Sequence, residues 1–182
     1  DGYPILNFNA PDAICRKMVE YNKTQSVDGR QIKARGHVIV WNSQTSEWWF
    51  HEDYDVRKPY VDPETMLKRL DRYVRDVMEH YYGEGSEFQG LICAWDVVNE
   101  AIDDGTGQPR MNSSWHKIFQ DDSYLREAFV IANKYVPAEV KLFYNDYNEI
   151  DPRKRDGICR LLCSIKEYPG ARIDGMGMQT HA

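Results

Sequence analysis

The chain has 182 residues, 42% of them hydrophobic and 29% charged, with a formal net charge of −6. That balance allows one sizeable core and excludes compositional disorder. Lys and Arg are scattered rather than striped, which argues against a nucleic-acid partner, and no apolar run approaches the ~20 residues that span a bilayer.

Residues 1–10, with Gly2, Pro4 and Asn7, read as irregular. Pro11 and Asp12 open a helix whose apolar positions are Ile14, Met18 and Tyr21, ending before a polar loop at 22–29. The spacing predicts a first strand over 32–41, with Asn42, Ser43 and Gln44 at its exit. An aromatic loop follows, carrying Trp48, Trp49, Phe50, Tyr54 and Tyr60. Asp62 and Pro63 then form an N-cap and N1 pair. From Met66 to Tyr81, Leu67, Leu70, Tyr73, Val74, Val77 and Met78 repeat at helical steps, and Gly83 ends the run.

The next strand, from Leu91 through Trp95 to Val98, is almost wholly apolar, as in a parallel sheet covered on both faces. It ends abruptly on Asn99 and Glu100. A loop rich in Asp, Gly and Asn runs over 102–114, and Asp122 or Ser123 caps a helix carrying Leu125, Ala128, Phe129, Ala132 and Tyr135. A third strand over 140–144 leaves Asn145, Asp146, Tyr147 and Asn148 at its exit. Asp151 and Pro152 start a last helix with Ile158, Leu161, Leu162 and Ile165. The fourth strand, over 173–178, leaves Gln179 and His181, and its Gly175 and Gly177 suggest close backbone approach. Cys93 is expected to pack as a small hydrophobe in the buried strand. Cys159 and Cys163, four apart on a helix, read as structural thiols, with a disulfide or metal site the weaker alternatives.

Strands alternating with helices argue for βαβ units with right-handed crossovers. Every strand leaves polar or aromatic groups at its C-terminal end, the face on which (β/α) barrels build their sites. The expected fold is therefore a (β/α)8 TIM barrel, incomplete in this chain, with about four to five βα units present. Four exits converge: His37 with Trp41 and Gln44, Asn99 with Glu100, Asn145 with Tyr147, and Gln179 with His181. Amides, imidazoles and aromatics around one carboxylate suit a neutral, hydroxyl-rich ligand. No phosphate-binding or EF-hand pattern is present, so neither cofactor nor metal is expected.

Four separated motifs carry a family likeness: Arg35-Gly36-His37-Val38-Ile39-Val40-Trp41, Trp95-Asp96-Val97-Val98-Asn99-Glu100-Ala101, Asn145-Asp146-Tyr147-Asn148, and Asp174-Gly175-Met176-Gly177-Met178-Gln179-Thr180-His181. In this order they resemble the catalytic barrel of the glycoside hydrolase family 10 xylanases, over most of the chain from about Ile32. The resemblance implies retaining hydrolysis of internal β-1,4-xylosidic bonds in xylan or xylo-oligosaccharides. It makes Glu100 the acid/base catalyst. Asn99 would bind the sugar 2-hydroxyl, and His37, Trp41 and Gln44 would wall the glycone side. Asn145 would touch the acid/base region, Gln179 and His181 would steady the nucleophile and its sugar, and Asp96 would support the network.

Two departures qualify the likeness. Asn42 stands where the family usually has histidine. The family's nucleophilic glutamate follows a seventh strand, whereas residues 1–182 resemble the central part of the barrel, strands 3 to 6. The nucleophile and the first strands are thus expected in another segment of the same enzyme that completes the barrel, and the protein is expected to be secreted or held at the cell surface or in the periplasm. Competing readings are a non-catalytic xylan-binding barrel fragment, a related barrel cellulase, and, more distantly, a metal hydrolase built on His37, His181 and Asp96.

Overall fold

A computed structural model describes residues 2–25 and 27–180. The elements in order are α1 (Asn9–Thr24), β1 (Ala34–Trp41), two short 3-10 turns (Glu47–Phe50 and Glu52–Tyr54), α2 (Pro63–Tyr82), β2 (Ile92–Asn99), α3 (Ser114–Phe119), α4 (Ser123–Tyr135), β3 (Lys141–Asp146), α5 (Pro152–Lys166) and β4 (Gly175–Met178). The strands form one four-stranded sheet in the order β1-β2-β3-β4, and every neighbouring pair is parallel. Consecutive parallel neighbours joined through helices are the connectivity of a (β/α)8 barrel, and the described residues supply four of its strands.

The register fixes what faces the site. One row across the sheet runs Trp41, Asn99, Asn145, Gly177, and the row below it runs His37, Asp96, Phe143, Gly175. The glycines of β4 make room for their neighbours. A Cβ on Gly177 would lie 2.2 Å from Arg35 Nη2 and 2.4 Å from Asn145 Oδ1, so no larger residue fits there unless those side chains move.

Helix α2 forms as its sequence dictates. Asp62 accepts a hydrogen bond from Thr65 N at 2.9 Å, a cap worth about 1 kcal/mol, and Pro63 occupies the first turn. Met66, Leu70, Val74 and Met78 are buried beneath it, each contributing roughly 1.5–3 kcal/mol of burial. Strand β2 is the centre of the core, with Val97 and Val98 buried. The Trp95 indole N–H reaches Tyr82 Oη on α2 at 2.8 Å.

Three expectations fail. On α1, Ile14 is 65% exposed and Tyr21 37%, while Asp12 and Cys15 are buried. Asp12 turns inward because His80 of α2 meets it at 2.8 Å, and Phe8 stacks on that imidazole with ring centroids 3.8 Å apart. Cys93 is exposed rather than packed, since successive strand residues face opposite ways and its neighbours Ile92 and Ala94 take the buried side. Between β2 and α4, where only a loop was expected, Ser113 caps the six-residue α3 through His116 N at 3.1 Å. Buried Trp115 pins this short helix, donating to Trp41 O at 3.1 Å. Among the described residues, no helix is long and apolar enough to cross a membrane.

Candidate functional site

Glu100 follows β2 immediately and holds a left-handed backbone, φ +54°. For a residue with a Cβ that conformation costs roughly 1–2 kcal/mol, so the surroundings must impose it. They do so by holding the backbone on both sides. Glu100 N donates to Asn145 O at 2.8 Å, Glu100 O accepts from Arg110 Nε at 2.9 Å, and Ala101 N donates to Tyr144 Oη at 3.1 Å.

The half-buried carboxyl group is approached from two other strands. Trp41 Nε1 donates to Oε2 at 3.1 Å, and Gln179 Nε2 donates to Oε1 at 2.9 Å. Beside it, buried Asn99 accepts at Oδ1 from Asn145 Nδ2 at 2.7 Å and from Gln179 Nε2 at 3.1 Å. Two donors on one amide oxygen fix which way the amide points. The Nδ2 group of Asn99 is left with no hydrogen-bond partner among the described residues. A buried donor without a partner is costly and calls for an acceptor such as a ligand hydroxyl.

One layer below, His37 Nδ1 sits 2.9 Å from Asp96 Oδ2. Arg35 Nε donates to the other oxygen of the same buried carboxylate at 2.9 Å, with its guanidinium 4.4 Å above the Phe143 ring. The His37 ring is 5.8 Å from that of Trp41. His37, Trp41 and Gln44 share a cleft of about 460 Å³ with Trp48 and Trp49. Trp48 presents an exposed indole and Trp49 is buried, so the two tryptophans divide between surface and core. Sequence reasoning thus brings Glu100, Asn99, Trp41, Asn145 and Gln179 into one bonded cluster, with His37 and Gln44 along the adjoining cleft. His181 lies outside the described residues.

Behind Glu100 stands a charged network that the sequence reading missed. Lys154 on α5, fully buried, reaches Asp104 Oδ1 at 2.6 Å and Asp146 Oδ1 at 2.9 Å, and its ammonium lies 3.7 Å from the centre of the Tyr147 ring. Arg110 adds contacts to Asp104 at 3.1 Å and to Tyr147 Oη at 3.1 Å. Tyr144 hydrogen-bonds Asp146. Burial works against the charge on Asp104, but Lys154, Tyr147 and Arg110 outweigh it and hold that carboxyl well below the usual carboxylate range. For Asp146 burial dominates and pushes the carboxyl up, against its bonds to Tyr144 and Lys154. A signal was available in the sequence, because Lys154 falls on the stripe formed by Ile158, Leu161 and Ile165, where a solvated lysine has no place.

A carboxyl group at the C-terminal ends of parallel strands, ringed by amides and an indole, defines a barrel site for a neutral polar ligand rather than for a phosphate. The glycosyl hydrolase family 10 profile matches residues 16–182, and the chain belongs to that family. It is 41% identical over 179 residues to a putative endo-1,4-beta-xylanase of Caldicellulosiruptor saccharolyticus, covering 98% of this chain and 53% of that one. With endo-1,4-beta-xylanase A of Thermotoga maritima it shares 40% identity over 157 residues, 86% of this chain and 14% of the relative. The chain therefore spans about half or less of the length of the relatives it matches. Among solved structures, the N-terminal endo-1,4-beta-D-xylanase 10B of Clostridium thermocellum, in complex with xylohexaose, superposes with a TM-score of 0.84 at 30% identity, covering 100% of this chain and 35% of that one. An intracellular xylanase from Thermoanaerobacterium saccharolyticum gives a TM-score of 0.82 at 34% identity, with 97% and 50% coverage.

Proposed function

We propose that this chain is the central part of an endo-1,4-β-xylanase barrel that cleaves internal xylosidic bonds with retention of configuration. The observation that carries the proposal is Glu100, held by Trp41 and Gln179 beside an Asn99 amide whose N–H group awaits an acceptor. In this reading Glu100 gives its proton to the glycosidic oxygen as the bond to the leaving sugar breaks, then draws a proton from the water that releases the enzyme-bound sugar. Asn99 Nδ2 donates to a hydroxyl of the sugar under attack, and His37, Trp41 and Gln44 line the path of the neighbouring sugars. The retaining mechanism needs a second carboxylate roughly 5–5.5 Å from the first. The chain spans about half or less of the length of its xylanase relatives, and the nucleophile is assigned to the remaining part of the barrel, outside residues 1–182. Relatives solved with xylohexaose and xylotriose support the choice of substrate. A polymeric substrate favours a location outside the cytoplasm, which cell fractionation would establish.

The test is reducing-sugar release from xylan by the natural parent polypeptide, wild type and Glu100→Ala, with cellulose in parallel. Release from xylan that Glu100→Ala abolishes supports the proposal. Faster release from cellulose would make the protein a cellulase, and oligosaccharide binding without product would make it a binding module.

A further inference from the structure

We propose that Lys154 is a positioning residue for Glu100. The inference rests on the acid/base reading of Glu100 given above. Lys154 touches none of the residues of the cleft. It stands on α5 with its side chain fully buried, and it joins two separate elements: Asp104, in the loop after β2, at 2.6 Å, and Asp146, the last residue of β3, at 2.9 Å.

Each of those carboxylates grips a group that holds the backbone at Glu100. Asp104 bonds Arg110, whose Nε donates to Glu100 O at 2.9 Å. Asp146 bonds Tyr144, whose hydroxyl accepts from Ala101 N at 3.1 Å. The ammonium is thus three contacts away from Glu100 O along one branch and three from Ala101 N along the other. Close packing reinforces the link, since the backbone of Gly157 on α5 presses on Gly107 of the same loop so tightly that a Cβ would stand 2.2 Å from its carbonyl oxygen. A buried ion pair adds little net stability over a well-packed apolar residue. What this one supplies is direction, because a point charge between two carboxylates fixes the distance between the loop and the strand end. The left-handed conformation at Glu100 is imposed from there, and with it the aim of the carboxyl between Trp41 and Gln179.

The experiment uses the natural parent polypeptide and compares Lys154→Met with Leu161→Ala. Leu161 is a buried residue on the same helix, outside the charged network. A misaimed acid slows bonds whose leaving group needs a proton, as in xylan, far more than bonds to a nitrophenolate, which leaves unaided. For Lys154→Met the expected result is a loss of about 100-fold in kcat/KM on xylan. The kcat/KM of a nitrophenyl xyloside, which covers only the step whose leaving group needs no proton, should stay within roughly threefold of wild type, while its kcat falls because Glu100 is also the base that activates water in the second step. Leu161→Ala, assayed at the same distance below its own melting temperature, should keep the wild-type ratio of the two kcat/KM values. Asp104→Asn, which keeps the shape of the loop, should give the same signature at about tenfold if Lys154→Met does not fold.

Amide hydrogen exchange on the same polypeptides separates the two ideas. Lys154→Met or Asp104→Asn should speed exchange at Glu100 and Ala101 by about tenfold relative to the rest of β2, and Leu161→Ala should not. If the wild type hydrolyses no xyloside but this exchange pattern appears, the functional reading falls and the positioning link stands. If kcat/KM on xylan and on the nitrophenyl xyloside fall together, or if the two amides keep their protection, the positioning proposal is overturned.

Discussion

Replacing Gly157 by alanine sets helix propensity against packing, and the structure decides the sign. In an exposed helix interior the change favours the helix by about 1 kcal/mol. On α5 the new Cβ would stand 2.2 Å from Gly107 O and 3.0 Å from Ile102 Cγ2. Ordinary contact begins near 3.4 Å, so something must yield by about 1 Å. The obstructing atom is a backbone oxygen already engaged by Arg160 Nη2 at 2.9 Å. Gly107 itself holds φ +65° with Arg153 O only 2.5 Å from its own Cβ position, so neither backbone has room to give. Overpacking of this kind costs roughly 1–3 kcal/mol, and a rigid backbone partner places it in the upper half of that range. Net of the propensity gain, Gly157→Ala should destabilise by about 1–2 kcal/mol. With a urea slope of about 2 kcal/mol per molar, the unfolding midpoint should fall by roughly 0.5–1 M. A midpoint that rises by about 0.5 M, as propensity alone would give, refutes the contact between α5 and the loop after β2.

Alkali should loosen the fold through its buried tyrosines. Burial pushes Tyr81 and Tyr124 up to about 12, so the stability they add is complete below pH ~10 and lost from there up to pH ~12. A urea midpoint that is flat between pH 9 and 11 would contradict this. At the acid end, Asp104 is held low, so it contributes stability above about pH 4 that disappears as the pH falls. Asp104→Asn should therefore lower the urea midpoint at pH 7 and flatten its decline toward pH 3, and an acid limb as steep as wild type would refute the assignment. Asn99→Ala removes one donor to the bound sugar and should weaken xylo-oligosaccharide binding about tenfold by calorimetry in the parent polypeptide. Unchanged affinity would remove Asn99 from the site.

The sequence reading was most successful where one local rule governs. Asp62 and Pro63 announce α2, and the apolar run of β2 ending on Asn99 and Glu100 marks both the sheet and the site. It misread α1 because the exposed Ile14 lies in apolar periodicity while the buried Asp12 answers to His80, 68 residues away. It passed over α3 because six residues offer too few turns for a periodic signal, and Ser113 is one polar residue in a polar loop. The charged network was hidden for a related reason. Lys154 and Asp104 are 50 residues apart, and although the place of Lys154 on an apolar stripe hints at burial, nothing in the sequence names its partners.

Glu100 also carries information about the sheet as a whole. It stands just beyond the second strand of the row, yet its two oxygens are reached from the first strand, by Trp41, and from just beyond the fourth, by Gln179. Laid flat, strands about 4.8 Å apart would hold the outer pair some 14 Å from one another. For both side chains to meet on a single carboxyl group the row must bend into an arc, so those two hydrogen bonds act as a gauge of its curvature. A substitution anywhere in the four strands that straightens the arc would break one of them first, and the acid would register a distortion made at a distance.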